Sequence, residues 1–318
     1  MTVSASPDPT LASVLARFDR LAAERGIAVR GDVPLAPLTT LRVGGPADRL
    51  VEPRTRDELL AVLEVARLAE LPWLVIGNGS DLVVADAGVR GLVIRNRAKS
   101  LTIEGSLVNA DAGTPMALLV KRAAAAGLAG LEWGIAVPGT LGGAVWANAG
   151  AHGSEIRDVL TVVDAWDPTT GGQHRLPNAE CRFGYRESRF KHEPQIILSA
   201  ALELAAGDRP AAVAERIAAF QAQRHATQPL AEQNAGSVFR NPPGDHAGRL
   251  IDVAGLKGFR VGTASVSTRH ANFIVTDRGG RAADVRQLAD EVRRVVRDAA
   301  GVQLEYEIEF VGAWEGDR

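Results

Sequence analysis

Ser237 lies in the segment AGSVFRNP (235–242), Arg186 in FGYRESRFK (183–191), and Glu305, Glu307 and Glu309 alternate through LEYEIEFVG (304–312). A hydroxyl, a guanidinium and a row of carboxylates can together deliver a proton and stabilise a developing anion. Each also has a plainer reading. Ser237 has no G-x-S-x-G setting, so a hydrolase nucleophile is unsupported; it either caps a turn or donates a proton with help from a nearby carboxylate or lysine. On an extended segment Arg186 and Ser188 share one face, and Tyr185 and Glu187 the other. Arg186 then grips a carboxylate through its planar fork, or belongs to a solvated loop with Arg189 and Lys191. The glutamates either face water or line a cation-holding site, with Leu304, Tyr306, Ile308 and Phe310 on the opposite face.

Two glycine-rich segments offer a different chemistry. In IGNGSD (76–81), Gly77, Asn78, Gly79, Ser80 and Asp81 follow an apolar run; in PGTLGGAVWANAG (138–150), Pro138, Gly139, Thr140, Gly142, Gly143, Asn148 and Gly150 stand out. Glycines let backbone N–H groups close around phosphate oxygens, and two such loops suit a ligand with a long phosphate spine, such as a dinucleotide. Taken singly, the first is equally a tight β-turn and the second a structural hinge. The first is not G-x-G-x-x-G, and DLVVADAGVRGLVI (81–94) reads as strand, turn and strand, so phosphate would meet loop amides without a helix behind them.

The elements that must position these residues alternate in type. Residues 1–9 read as a disordered tail. Thr10 then precedes a helix with Leu11, Val14, Leu15, Phe18 and Leu21 at helical spacing, stopped by Gly26. Strands are expected at 49–52, 73–76, 91–95 and 106–110, and helices at 55–71 and 115–126. Further strands follow at 159–167, near 174–176 and at 195–204. Gly207 marks a boundary, after which come helices at 211–224, 247–254 and 283–300 and a strand at 270–276.

With 318 residues, 46% hydrophobic and 23% charged, the chain has a globular profile and enough length for two or three lobes. The net charge of −2 gives no general attraction to nucleic acid or an anionic membrane. One cysteine, Cys181, excludes intrachain disulfides and a cysteine metal cluster. The six histidines show no H-x-x-x-H or H-E-x-x-H spacing, so no metal is expected. Lacking a signal-peptide pattern or a long apolar run, the chain is expected to be cytoplasmic, without membrane insertion.

In this order, the segments from TTLRVGGPAD (39–48) through both glycine loops, FGYRESRFK, AGSVFRNP, AGLKGF (254–259), HANFIV and LEYEIEFVG resemble the bacterial UDP-N-acetylenolpyruvoylglucosamine reductases, the MurB family. The match covers nearly everything after the first helix. It implies an α+β fold: an N-terminal tail and helix (1–36), an FAD-binding domain of the vanillyl-alcohol-oxidase or PCMH type (37–207), and a MurB-type C-terminal substrate domain (208–318). The resemblance puts noncovalent FAD in the two glycine loops and NADPH in the role of hydride donor. It makes Arg186 the catalytic arginine, Ser237 the proton donor and Glu307 the C-terminal glutamate, with Glu305 the neighbour to exclude. Glu307 would be protonated or bridged through a donor. Gln228, Arg240 and Asn241 would contact the substrate, UDP-N-acetylenolpyruvoylglucosamine, Arg240 standing where many members carry lysine. No nucleic acid or required protein partner is implied.

Tyr185 and Tyr306 are the only tyrosines, so the tyrosine-bearing loop of longer members is absent and the chain resembles the shorter subclass. Asp81 stands where the family usually has asparagine, and its carboxylate is expected to turn away from the diphosphate or cap local amides. His152 follows the second loop, but a covalent flavin link is not expected. The alternatives are a flavin-dependent oxidase on the same fold and a noncatalytic nucleotide-sugar sensor; the latter would lack at least one of Arg186, Ser237 and Glu307.

Overall fold

The computed structural model describes residues 10–314, so the expected tail at 1–9 lies outside the described residues. Thr10 caps the helix Leu11–Glu24, its hydroxyl accepting from Ser13 N, and Thr55 caps Arg56–Ala69 in the same way through Glu58 N. The two helices bury Val14, Phe18, Leu59 and Leu63 against a four-stranded sheet. Its strands run in the order Arg30–Pro34, Pro46–Val51, Val89–Arg95, Trp73–Ile76, the first pair antiparallel and the others parallel. The interior strand carries the unbroken apolar run Leu92, Val93, Ile94, as a strand covered on both faces should. Arg30–Pro34 escaped the sequence reading because it is a mostly exposed edge strand without apolar alternation.

A second sheet is antiparallel throughout: Gln173–Pro177, Leu160–Trp166, Ile196–Glu203, Leu107–Asp111, Leu101–Glu104. Helix Met116–Ala125 packs Met116, Leu119 and Val120 into its core, alongside the short helix Leu141–Trp146, which forms within the segment read as a loop at 138–150. Helix Pro210–Thr227, which the sequence reading placed at the head of the substrate part, contributes Val213 and Ile217 to this same core. Arg216 on that helix pairs with Glu132 at 2.7 Å.

The last third builds a four-stranded antiparallel sheet in the order Gln233–Ser237, Phe273–Thr276, Ala264–Val266, Arg260–Val261. Helix Ala282–Ala300 lays Val285, Leu288, Val292 and Val296 on that lobe's core and ends at Gly301 with φ +69°, a conformation glycine adopts without strain. LEYEIEFVG is not one strand. Its ladder is confined to Glu309–Val311, which pairs in parallel with Leu82–Val84 of the first lobe. Residues before it pair elsewhere: Glu307 N donates to Val238 O and Arg240 N to Glu305 O, both at 2.9 Å. One segment thus changes partners midway, from the last lobe to the first. The alternation survives the change: Leu304 and Ile308 are buried in the last lobe's core, and Glu307 and Glu309 face the other way.

Candidate active site

The two glycine segments touch. Gly79 has φ +61°, and a Cβ there would stand 2.5 Å from Leu38 O; a Cβ on Gly77 would stand 2.4 Å from Thr140 Oγ1. Only glycine permits that approach. Asn78 Nδ2 donates to Gly139 O at 3.1 Å, locking the loops together. As expected, strands Leu82–Val84 and Val89–Arg95 follow the first loop. The loops form one wall of a cleft of about 790 Å³, which also exposes Arg186, Gln228, Ser237 and Glu307.

Arg186 does not lie on an extended segment. Gly184 and Glu187 exchange backbone hydrogen bonds at 3.0 and 3.1 Å, making residues 184–187 a tight turn with Arg186 at φ +56°. The turn sends Arg186 into the cleft, and Ser188 away from it to donate to Trp146 O at 2.6 Å. Arg186 Nε donates to Glu307 Oε1 at 2.6 Å and Nη2 to Gly150 O at 2.9 Å. Burial works to lower the guanidinium's pKa, but the Glu307 charge and hydrogen bond outweigh it and hold the pKa above the ordinary arginine value. Ser237 ends strand Gln233–Ser237 beyond a bulge in which Gly236 has φ +80°. Its hydroxyl has no hydrogen-bond partner among the described residues. Since residue 307 pairs with residue 238, Ser237 and the Arg186–Glu307 pair share one neighbourhood.

Two cleft residues escaped the sequence reading as site residues. Lys191 is 8% exposed, pairs with Glu309 at 3.2 Å and stands 4.1 Å above the Trp146 ring, so Glu309 is a site-lining carboxylate that keeps partial contact with solvent. Arg224, on helix Pro210–Thr227, donates to the neutral Gln228 Oε1 at 3.0 Å, and burial lowers its pKa. No carboxylate pairs with Arg224 among the described residues. The charged cluster 183–191 was the available signal for Lys191; nothing local singled out Arg224.

Other expected site residues stand elsewhere. Asn148 is fully buried at φ +42°; its amide donates to Glu155 Oε2 (2.9 Å) and Gly184 O (2.7 Å), and its Oδ1 accepts from Arg157 N (3.2 Å). Those bonds use the side chain to hold the Arg186 turn, so it offers no amide to the cleft. Arg240 pairs with Glu187 at 2.8 Å, and exposed Asn241 accepts from Ala247 N; both lie outside the cleft lining, as does exposed Glu305. His152 lines the cleft and stacks on Phe220, ring centroids 4.2 Å apart. Cys181 is buried with its thiol pushed up to about 11, mainly by burial, which removes thiolate chemistry near neutral pH. Among the described residues no group of three or more His, Cys, Asp and Glu side chains could hold a metal ion.

The cleft fits a flavin dinucleotide. Its volume falls in the range of cofactor sites. The backbone N–H groups of Asn78, Gly79, Ser80 and Thr140 find no acceptor among the described residues, the arrangement an anionic spine requires. Gln195 Oε1, in the cleft lining, is buried without a partner. A Cβ on Gly143 would meet nothing nearer than Thr140 Oγ1 at 3.9 Å, so the backbone there lies open to a ligand.

Comparison with known proteins agrees with this geometry. The family described as FAD binding domain matches residues 47–176, and that described as UDP-N-acetylenolpyruvoylglucosamine reductase, C-terminal domain, matches residues 228–311. UDP-N-acetylenolpyruvoylglucosamine reductase of Synechococcus sp. (strain RCC307) is 43% identical over 90% of this chain and 95% of its own. The Moorella thermoacetica protein of the same name is 46% identical over 88% of this chain and 92% of its own. Among solved structures, UDP-N-acetylenolpyruvylglucosamine reductase (MurB) from Thermus caldophilus superposes with a TM-score of 0.76 at 38% identity, covering 89% of this chain and 98% of that one.

Proposed function

The chain belongs to the UDP-N-acetylenolpyruvoylglucosamine reductase family, and we propose that its cleft reduces UDP-N-acetylenolpyruvoylglucosamine to UDP-N-acetylmuramate with hydride drawn from NADPH. The reading rests on one arrangement: the Arg186–Glu307 pair and the unengaged Ser237 hydroxyl share a cleft with two loops of free backbone amides. FAD, held by the loops at 77–81 and 138–143, supplies the hydride carrier between donor and acceptor.

The protein's own work is electrostatic and protonic. When hydride adds to the terminal vinyl carbon of the substrate, negative charge develops at the carbon beside the carboxylate. Arg186, held charged and tied down at two atoms, offsets that charge at a fixed position. Glu307 orients the guanidinium; its own charge does not repel the anion because Arg186 bridges it, the second of the two states the resemblance allows. Ser237 delivers the proton that completes the lactyl ether. Gln228 and Arg224, both in the cleft wall, would contact the sugar nucleotide. Arg240 and Asn241 reach the substrate only if it extends past the cleft.

A cytoplasmic site of action and a small-molecule substrate, with no nucleic acid and no required protein partner, complete the proposal. Among the described residues no helix is long and apolar enough to cross a membrane.

Anaerobic stopped-flow spectroscopy tests the assignment. Ser237→Ala should accept hydride from NADPH at the wild-type rate, and its flavin reoxidation by the sugar nucleotide should slow by about 10²–10³. Equal loss in both half-reactions would sink the proton-donor role. A reduced flavin that persists until air is admitted would favour the oxidase.

A further inference from the structure

Asp81 closes the first glycine loop, where the family resemblance leads one to expect an amide. The structure fixes its backbone at the cleft. Its carbonyl accepts from Glu309 N at 2.9 Å, and the register Leu82↔Glu309 fixes it beside the last strand. Its residue lines the cleft with Glu307 and Glu309. Both nearby cations are already engaged, Arg186 with Glu307 at 2.6 Å and Lys191 with Glu309 at 3.2 Å. No donor bonds the Asp81 carboxyl among the described residues. Three carboxyl groups therefore face two cations, in a cleft that must also admit a diphosphate.

We propose that Asp81 meets the cofactor as a neutral carboxylic acid that donates a hydrogen bond to a phosphate oxygen, so that flavin binding is coupled to retention or uptake of a proton. A neutral carboxyl offers one O–H donor, which replaces the N–H of an asparagine amide without adding charge. The electrostatics point the same way. Burial, then Glu307 and Glu309, push the Asp81 carboxyl well above its ordinary range, and Lys191 and Arg186 only partly offset them. An incoming diphosphate raises it again. Binding then favours the protonated form, and affinity falls as pH rises between the free and the bound pKa values.

The inference rests on FAD as the cofactor and not on the roles of Ser237 or Glu307, and flavin binding tests it without turnover. The flavin-loaded protein is equilibrated by ultrafiltration between pH 6 and 9.5, and released FAD is read by fluorescence. Wild-type Kd should rise by up to about tenfold per pH unit across the window, with proton uptake visible by calorimetry in two buffers of different ionisation enthalpy. Asp81→Asn should bind tightly with no slope, and Asp81→Ala should show no slope but weaker binding. A flat wild-type profile, a slope that survives in Asp81→Asn, or equal affinity of the Ala and Asn variants would overturn the proposal. The wild-type calorimetry decides the coupling even where a variant folds poorly.

Discussion

Arg186 reaches its position at a backbone cost. A non-glycine residue at φ +56° is held in a sparsely populated region, a strain of about 1–3 kcal/mol that the surrounding contacts must offset. They do so through a fork: one guanidinium bonds Glu307 through Nε and Gly150 O through Nη2, and Asn148 pins the turn from behind through Gly184 O. An ammonium cannot reproduce two divergent, planar bonds. Arg186→Lys should therefore keep NADPH-driven flavin reduction near wild type and slow reduction of the sugar nucleotide by about 10²-fold or more. Single-turnover kinetics of the two half-reactions decide the matter. A lysine variant within a few-fold of wild type in the second half-reaction would mean that charge alone suffices and the fork is incidental.

At the scale of elements, helix Pro210–Thr227 packs on the second sheet's core and serves the cleft. One side buries Val213 and Ile217 under the second sheet, and its last turn presents Arg224 one turn before Gln228. A guanidinium desolvated beside a neutral partner is an anion site in waiting, since a charge-assisted bond to phosphate contributes about 1.5–3 kcal/mol. Arg224→Gln should raise the Kd of the flavin-loaded protein for UDP by roughly 10–100-fold; an unchanged Kd by calorimetry would remove Arg224 from the site. No sequence pattern announced this residue, because the helix is alanine-rich and weakly amphipathic and the cleft that Arg224 lines is built from segments far along the chain. Elements with a strong period were legible: Ala282–Ala300 by its apolar stripe, Trp73–Ile76 and Ile196–Glu203 by apolar runs between turn residues. The turn at 184–187 was not, since only contact with Asn148 and Glu307 holds Arg186 at positive φ. The Arg186, Ser237 and Glu307 positions came from ordered motifs, whereas their convergence depends on a segment that changes sheets between residues 305 and 309.

That change of sheets has a consequence for the whole molecule. Leu41, Val43 and Val83 from the first part are buried in the last lobe's core, and Thr276 Oγ1 donates to Leu41 O at 3.0 Å. The N-terminus of helix Ala282–Ala300 has no side-chain cap from its own N-cap residue, Arg281; Asp86 from the first lobe instead accepts from Ala282 N at 2.8 Å and Ala283 N at 3.0 Å. A helix capped across a lobe boundary and a strand that finds its partner across the same boundary are not independent folding units. Although two family descriptions divide the chain, it should unfold in one calorimetric transition with matching calorimetric and van't Hoff enthalpies, and FAD should raise that single midpoint. Asp86→Ala should lower it by an amount equivalent to about 1–2 kcal/mol without splitting it. Two resolved endotherms, only one of them moved by FAD, would show that the last lobe folds on its own. The cleft would then be an assembly of two stable parts, whereas the shared core requires Ser237 and Glu307 to reach the glycine loops only when the whole chain is folded.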